Sequence, residues 1–237
     1  MLRVIFPDGS AKEYRERVRP IDIAAELGPR LAKSAVAAMV NGSVVDMTAP
    51  LPQEGEVQLR ILTERDHEAL NVLRHSAAHV MARAVLRLFP KAKLAFGPPV
   101  ENGFYYDIEL ERSLTDDDLP RIEEEMAKII AQDEPFERIE VPWERAVEIC
   151  RDLDQPFKVE HLQEGLASER VVSFYRQGEF LDLCEGPHVP SAGWIKAFKV
   201  LSVAGAYWRG DASRQQLQRL YGTAWFSQKD LDEYLRR

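Results

Sequence analysis

The chain has 237 residues, 45% of them apolar and 30% charged, with a net charge of -8 at neutral pH. That is enough apolar material for one sizeable core or two smaller ones, yet no run approaches the roughly 18 apolar residues of a membrane helix, and the start, MLRVIFPDGS, lacks the pattern of a secretory leader. The expectation is a cytoplasmic protein without a membrane partner, whose two cysteines, Cys150 and Cys184, are too few for a disulfide framework.

In chain order, LRVIF and AKEYR flank Pro7-Asp8-Gly9-Ser10 and predict a β-hairpin. Pro20 opens a helical pattern, IDIAAELGPRLA, that Gly28 and Pro29 interrupt. VAAMVNGSVVDM predicts two strands about the Asn41-Gly42 turn, and EVQLRILT a further strand. This order within residues 1–62 predicts a small ubiquitin-like β-grasp domain, with residues 63–237 forming a larger α+β domain.

Thr63, with Asp66 three residues on, predicts the start of a long helix that Pro90 ends. Leu70, Leu73, Ala77, Val80, Ala84 and Leu88 fall on one stripe at the 3.6-residue period, which predicts the core face. His75 and His79 fall nearly opposite, on a second, mildly apolar surface that Arg74 and Arg83 flank. KLAFGPPVENGFYYDIEL predicts strand, loop and strand. A charged helix is expected over residues 115–131, then a short strand over 137–141 and a helix over 142–153. Lys158 is expected in a loop or at a helix start. Residues 171–183 predict a hairpin about Gln177-Gly178, followed by CEGPH in a Gly-Pro loop.

Charge is unevenly spread. Residues 186–229 hold six basic residues (Lys196, Lys199, Arg209, Arg214, Arg219 and Lys229) against one acid, Asp211, interleaved with Trp194, Tyr207, Trp208 and Tyr221. Composition alone favours a solvated face over buried rings; the other reading is a surface that meets an RNA backbone and stacks a terminal base.

His75 and His79 at i, i+4 can share one water, ligand or metal, and Cys184 with His188 repeats the spacing. Two readings stay open. Cys and His suit a tetrahedral zinc site with an open position, and spacing alone favours it. Without metal, a histidine activates water as general base, while Asp182, Lys158 and the other histidines orient the substrate and stabilise charge.

HSAAHVMARAV, GFYYDIEL, EFLDLCEGPHVPSAG and AYWRGDASRQQLQRLYGTAW resemble the second N-terminal domain of bacterial threonyl-tRNA synthetase, and residues 1–62 resemble the TGS domain that precedes it. The editing domain of alanyl-tRNA synthetase shares the four-residue pattern, but the FYYD and GTAW context and the TGS neighbour point to the threonyl enzyme. The resemblance implies a proofreading domain that hydrolyses seryl-tRNA(Thr). Serine lacks one methyl of threonine, and a binding pocket gains only about 1–3 kcal/mol from such a group, so a second sieve is useful. The resemblance places His75, His79, Lys158, Asp182, Cys184 and His188 around the ester and Tyr106 near the terminal adenosine, with no metal in the editing pocket. It also implies that ATP, zinc and homodimerisation belong to a synthetic core beyond Arg237, so that this chain would edit but not charge. The alternatives are a zinc-dependent deacylase of the alanyl type, holding zinc on His75, His79, Cys184 and His188, and a non-catalytic tRNA-binding module.

Overall fold

The computed structural model describes residues 1–237. By contact the α+β chain divides into a unit of residues 1–73 with 186–190 and a unit of residues 74–185 with 191–237. No helix is long and apolar enough to cross a membrane.

The first unit contains β1 (Leu2–Ile5), β2 (Ala11–Tyr14), α1 (Pro20–Leu27), α2 (Pro29–Ser34), β3 (Ala37–Val40), β4 (Ser43–Val45) and β5 (Gly55–Leu62). The sheet order is β2-β1-β5-β3-β4, with β1 parallel to β5 and the other pairs antiparallel, as a β-grasp requires. Asn41 and Gly42 both have positive φ, 50° and 83°, so the β3–β4 turn is of the primed kind that matches strand twist. Leu2, Val4, Ile23 and Leu59 close the core between sheet and α1.

Helix α3 (His67–Leu88) starts later than the Thr63 pattern suggested. The Asp66 carboxylate accepts the Thr63 N–H at 2.8 Å and pairs with Arg60, so residues 63–66 form a turn tied to β5 instead of a first helical turn. The helix ends two residues before Pro90, whose missing N–H and ring cannot continue it. Its expected division into a core face and a milder second face is overturned. Every residue from Val72 to Val85 is buried except His75, which is half-buried. Elements pack on more than one side: Arg74 donates to the Ala224 carbonyl at 3.2 Å, while the His79 ring meets Phe180.

The rest of the second unit follows as β6 (Lys93–Leu94), β7 (Pro99–Val100), β8 (Gly103–Glu109), α4 (Asp118–Gln132), β9 (Glu137–Pro142), α5 (Trp143–Asp152), α6 (Pro156–Glu164), β10 (Val171–Gln177), β11 (Phe180–Leu183), β12 (Ala197–Tyr207), β13 (Gln216–Trp225) and α7 (Gln228–Leu235). One sheet runs β12-β13-β8-β6 with β7 on β8, and a smaller one runs β11-β10-β9. Helix α4 begins at Asp118, not at Thr115, because the Asp118 carboxylate is drawn back to the N–H and hydroxyl of Thr115 and to Arg112. Lys158 lies in the first turn of α6, at the helix start that was one of its two expected places. The long β12–β13 hairpin has no counterpart in the sequence expectations. β12, AFKVLSVAGAY, is small or apolar at nearly every position on both faces and has a bulge between Val200 and Ser202, which leaves no period-two pattern.

Ala77, Ala78, Ala82 and Ala84 are all fully buried, so α3 is surrounded closely at positions where only a methyl fits. Ala78→Leu is expected to lower stability by about 1–3 kcal/mol through overpacking, read as a lower urea midpoint. An unchanged midpoint would show that the space around α3 is loose.

Candidate active site

His75, His79 and Arg83 follow one another at four-residue steps on α3 and so form one row. On β11 the strand period of two places Phe180 and Asp182 on the side toward that row, and Cys184 continues it just past the strand. Leu181 and Leu183 point the other way, into the core shared with Val147, Cys150 and Leu162 of α5 and α6. The rows meet closely. His75 Nε2 lies 3.4 Å from Cys184 Sγ, and His79 Nε2 lies 3.7 Å from Asp182 Oδ2. The two imidazoles stand edge to face with centroids 5.1 Å apart.

Asp182 is 4% exposed, and a carboxylate so buried persists only with partners. It has two beyond the histidine. The Tyr106 hydroxyl, from β8, donates to Oδ2 at 2.8 Å, and Lys158 Nζ, from α6, lies 3.3 Å from Oδ1. Lys158 Nζ also donates to the Tyr106 hydroxyl at 3.1 Å and rests 4.7 Å from the Phe96 ring centre. Burial, reinforced by Asp182, pushes the Tyr106 phenol well above its ordinary value, so it remains a neutral donor. Gly97 makes room for it: a Cβ there would come within 2.2 Å of the Tyr106 ring.

Burial also sets the state of His79. It lowers the imidazole to about 3, with Asp182 opposing and His75 and Lys158 pushing further down. The ring is therefore neutral at physiological pH, and its 3.7 Å approach to Asp182 is neither an ion pair nor a hydrogen bond.

Of the expected site residues, the second unit thus gathers His75, His79, Tyr106, Lys158, Asp182 and Cys184. His188 follows Cys184 by four residues in the 186–190 segment, which counts by contact with the first unit. It is 1% exposed, and its backbone N–H donates to Asp46 Oδ1 at 2.8 Å. One ligand atom from each of His75, His79 and Cys184 lies within 4.8 Å of the others, so these three could hold a metal ion. The 3.4 Å between nitrogen and sulfur is close to the roughly 3.5 Å that two ligands of one tetrahedral zinc would have, and equally suits a hydrogen bond to sulfur.

The basic stretch has mostly found acids. Lys199 pairs with Glu123, Arg209 with Glu160 and Glu164, Arg214 with Glu160 and Arg219 with Asp107. Trp208 is buried against Phe96 and Phe157. Arg83, noticed in the sequence only as a flanking residue, proves to be the third member of the histidine row; its four-residue step from His79 was the available signal.

Residues 2–61 match the family described as TGS domain, and residues 172–221 match the threonyl and alanyl tRNA synthetase second additional domain. The chain is 54% identical over 238 residues to a threonine–tRNA ligase of Rhodopirellula baltica, covering 99% of this chain and 32% of that protein. It is 51% identical over 237 residues to the Symbiobacterium thermophilum threonine–tRNA ligase, covering 100% of this chain and 36% of that protein. The corresponding enzyme of Geobacillus kaustophilus is 49% identical over 236 residues, at 100% and 36% coverage. The chain thus spans about a third of the length of these relatives.

The neutral His79 makes a pH prediction. Its folded value of about 3 lies below the ordinary 6.5, so between the two the unfolded chain binds the extra proton. Its contribution to stability is complete above pH 6.5 and is lost as the pH falls toward 3. His79→Gln should flatten the decline of unfolding temperature between pH 6.5 and pH 4 relative to the unaltered chain; parallel declines would show that His79 is not held neutral.

Proposed function

The chain pairs a TGS domain with the threonyl and alanyl tRNA synthetase second additional domain, as expected of the N-terminal part of a threonine–tRNA ligase, and on that premise we propose that it proofreads by hydrolysing seryl-tRNA(Thr). In this reading residues 1–62 are the TGS-like domain and residues 63–237 the editing domain. The observation that carries it is the row of His75, His79 and Cys184 set against a buried Asp182–Lys158–Tyr106 network.

Hydrolysis of an aminoacyl ester asks little of a protein. Water adds to the carbonyl carbon and passes a proton to a base, the acyl C–O bond breaks, and the ribose oxygen leaves with a proton. His75, half-buried and beside the thiol, positions or activates the water. His79, kept neutral, orients it. Lys158 stabilises negative charge on the tetrahedral intermediate and pairs with Asp182 at 3.3 Å. Cys184 shapes the pocket around the seryl group, Tyr106 is assigned to the side of the terminal adenosine, and His188 is assigned to the ester by its four-residue spacing from Cys184. The fragment acts on the acceptor end of tRNA(Thr) in the cytoplasm. Use of ATP and zinc for aminoacylation, and homodimerisation, are assigned to the remainder of a full-length protein.

We assign no metal to the editing step, following the resemblance to the threonyl editing domain. The donor geometry of His75, His79 and Cys184 supports a second reading, in which these three would hold zinc as a Lewis acid, with His188 the fourth donor by its sequence spacing alone. Well under one zinc per purified chain, with deacylation intact in strong chelator, is expected; stoichiometric zinc and loss of turnover on chelation would favour the second reading.

Discrimination against threonine is assigned to the pocket wall, because a close-packed site resists an added methyl at about 1–3 kcal/mol. In single turnover the serine ester should be cleaved at least about tenfold faster than the threonine ester, since about 1.4 kcal/mol corresponds to that factor. His75→Ala should slow both. Equal rates on the two esters would remove the sieve, and seryl-tRNA bound but as stable as in buffer would leave a non-catalytic binding module.

A further inference from the structure

The row that carries the histidines does not end with them. One turn beyond His79, Arg83 is 1% exposed. Its Nε donates to Glu179 Oε1 at 3.1 Å and its Nη2 to Oε2, a two-pronged pairing, while Nη1 donates to Glu134 Oε2 at 2.6 Å. Arg87, a further turn on, donates to the same Glu179 at 2.9 Å. Glu179 sits at the turn that opens β11, the strand of Asp182 that leads into Cys184. Glu134 is itself anchored, its carbonyl accepting the Ala192 N–H at 3.0 Å and the Gln177 amide at 3.3 Å. Gly178 leaves the space for this junction: a Cβ there would lie 2.4 Å from Arg83 Nη2 and 2.6 Å from Glu134 Oε2, and its φ of 55° already favours glycine.

We propose that Arg83 is a positioning residue, which through Glu179 and Glu134 sets the register of β11 against α3 and so holds Asp182 and Cys184 opposite His79 and His75. The need is geometric. A four-residue helical step advances about 6 Å and a two-residue strand step about 6.6 Å, so the rows match over only a few steps, and a sliding error of one strand residue would turn both site groups away. Apolar contacts such as Phe180 on His79 resist separation but are tolerant of sliding. A forked arginine–carboxylate pair fixes both distance and direction. Arg83 also holds the Glu179 carboxyl down at about 2, so the pairing persists throughout the working pH range.

This inference rests on the deacylase reading for its kinetic consequence but not for its structural one, and the test separates them. Glu179→Gln and Arg83→Lys are made in the whole 237-residue chain. Glu179 has a 58% exposed side chain, so the glutamine variant should fold, which circular dichroism verifies. Two readouts are then taken: the rate of iodoacetamide alkylation of Cys184 at fixed pH, and kcat and KM on seryl-tRNA. Cys150 is buried with its thiol pushed up to about 12, so alkylation reports Cys184, with Cys184→Ser as the blank. In both variants the alkylation rate should change at least about threefold and kcat should fall at least about tenfold, with KM nearly constant. Glu125→Gln, which weakens an outer pairing with Arg87 and Lys128 and touches neither Arg83 nor Glu179, should leave both unchanged. A folded Glu179→Gln protein with unaltered alkylation and kcat would overturn the proposal, whatever its loss in unfolding temperature. If the unaltered chain itself lacks turnover, the deacylase reading falls, and alkylation alone decides the role of Arg83.

Discussion

The second unit is organised by the meeting of a helical row with a strand row. His75 and His79 of α3 face Cys184 and Asp182 of the strand row at 3.4 and 3.7 Å, and Arg83 meets Glu179, at the turn before β11, at 3.1 Å. Each rung joins different chemistry: an imidazole and a thiol, an imidazole and a carboxylate, a guanidinium and a carboxylate. The helix is rich in alanine where it is most enclosed, so neighbouring elements pack closely around it.

Burial then decides the protonation states. Asp182 is enclosed, yet Lys158 and the Tyr106 hydroxyl satisfy it, so the negative charge is matched within the protein. Desolvation outweighs the support that Asp182 gives a proton on His79, and His75 and Lys158 oppose it further, so the ring stays neutral. A neutral imidazole is the form that a water-activating site and a metal site both require. The larger sheet shows the same economy of charge. The arginines of the β12–β13 hairpin and Lys199 are paired with carboxylates of β8, α4 and α6, so a segment that is basic in sequence contributes far less positive surface than its composition suggests.

Local chemistry made much of the architecture legible beforehand. The Asn41-Gly42 turn, the Gly28-Pro29 break and the Gln177-Gly178 hairpin are decided within a few residues, and their elements lie where the pattern put them. Helix starts were less legible. At Thr63 and Thr115 the acid three residues on bends back to make a turn, and the helices begin only at His67 and Asp118, because the carboxylates are also claimed by Arg60 and Arg112. The β12–β13 hairpin was not legible because β12, AFKVLSVAGAY, is small or apolar at nearly every position and carries a bulge between Val200 and Ser202, so no alternation marks it as a strand.

What the sequence by itself determined was residue type and spacing: two histidines one turn apart, a cysteine and a histidine at the same interval, and their resemblance to an editing domain. It could place His75 and His79 on one side of a helix, since a 3.6-residue period is a local property. It could not say that this side would be enclosed, that Lys158 and Tyr106 would converge on Asp182 from two other elements, or that Arg83 would join the row through Glu179. Those pairings span 76 residues between Tyr106 and Asp182 and 96 between Arg83 and Glu179. Side-chain contacts at such separations arise only when strands and helices pack, so only the tertiary structure decided which groups share a site and in which charge state.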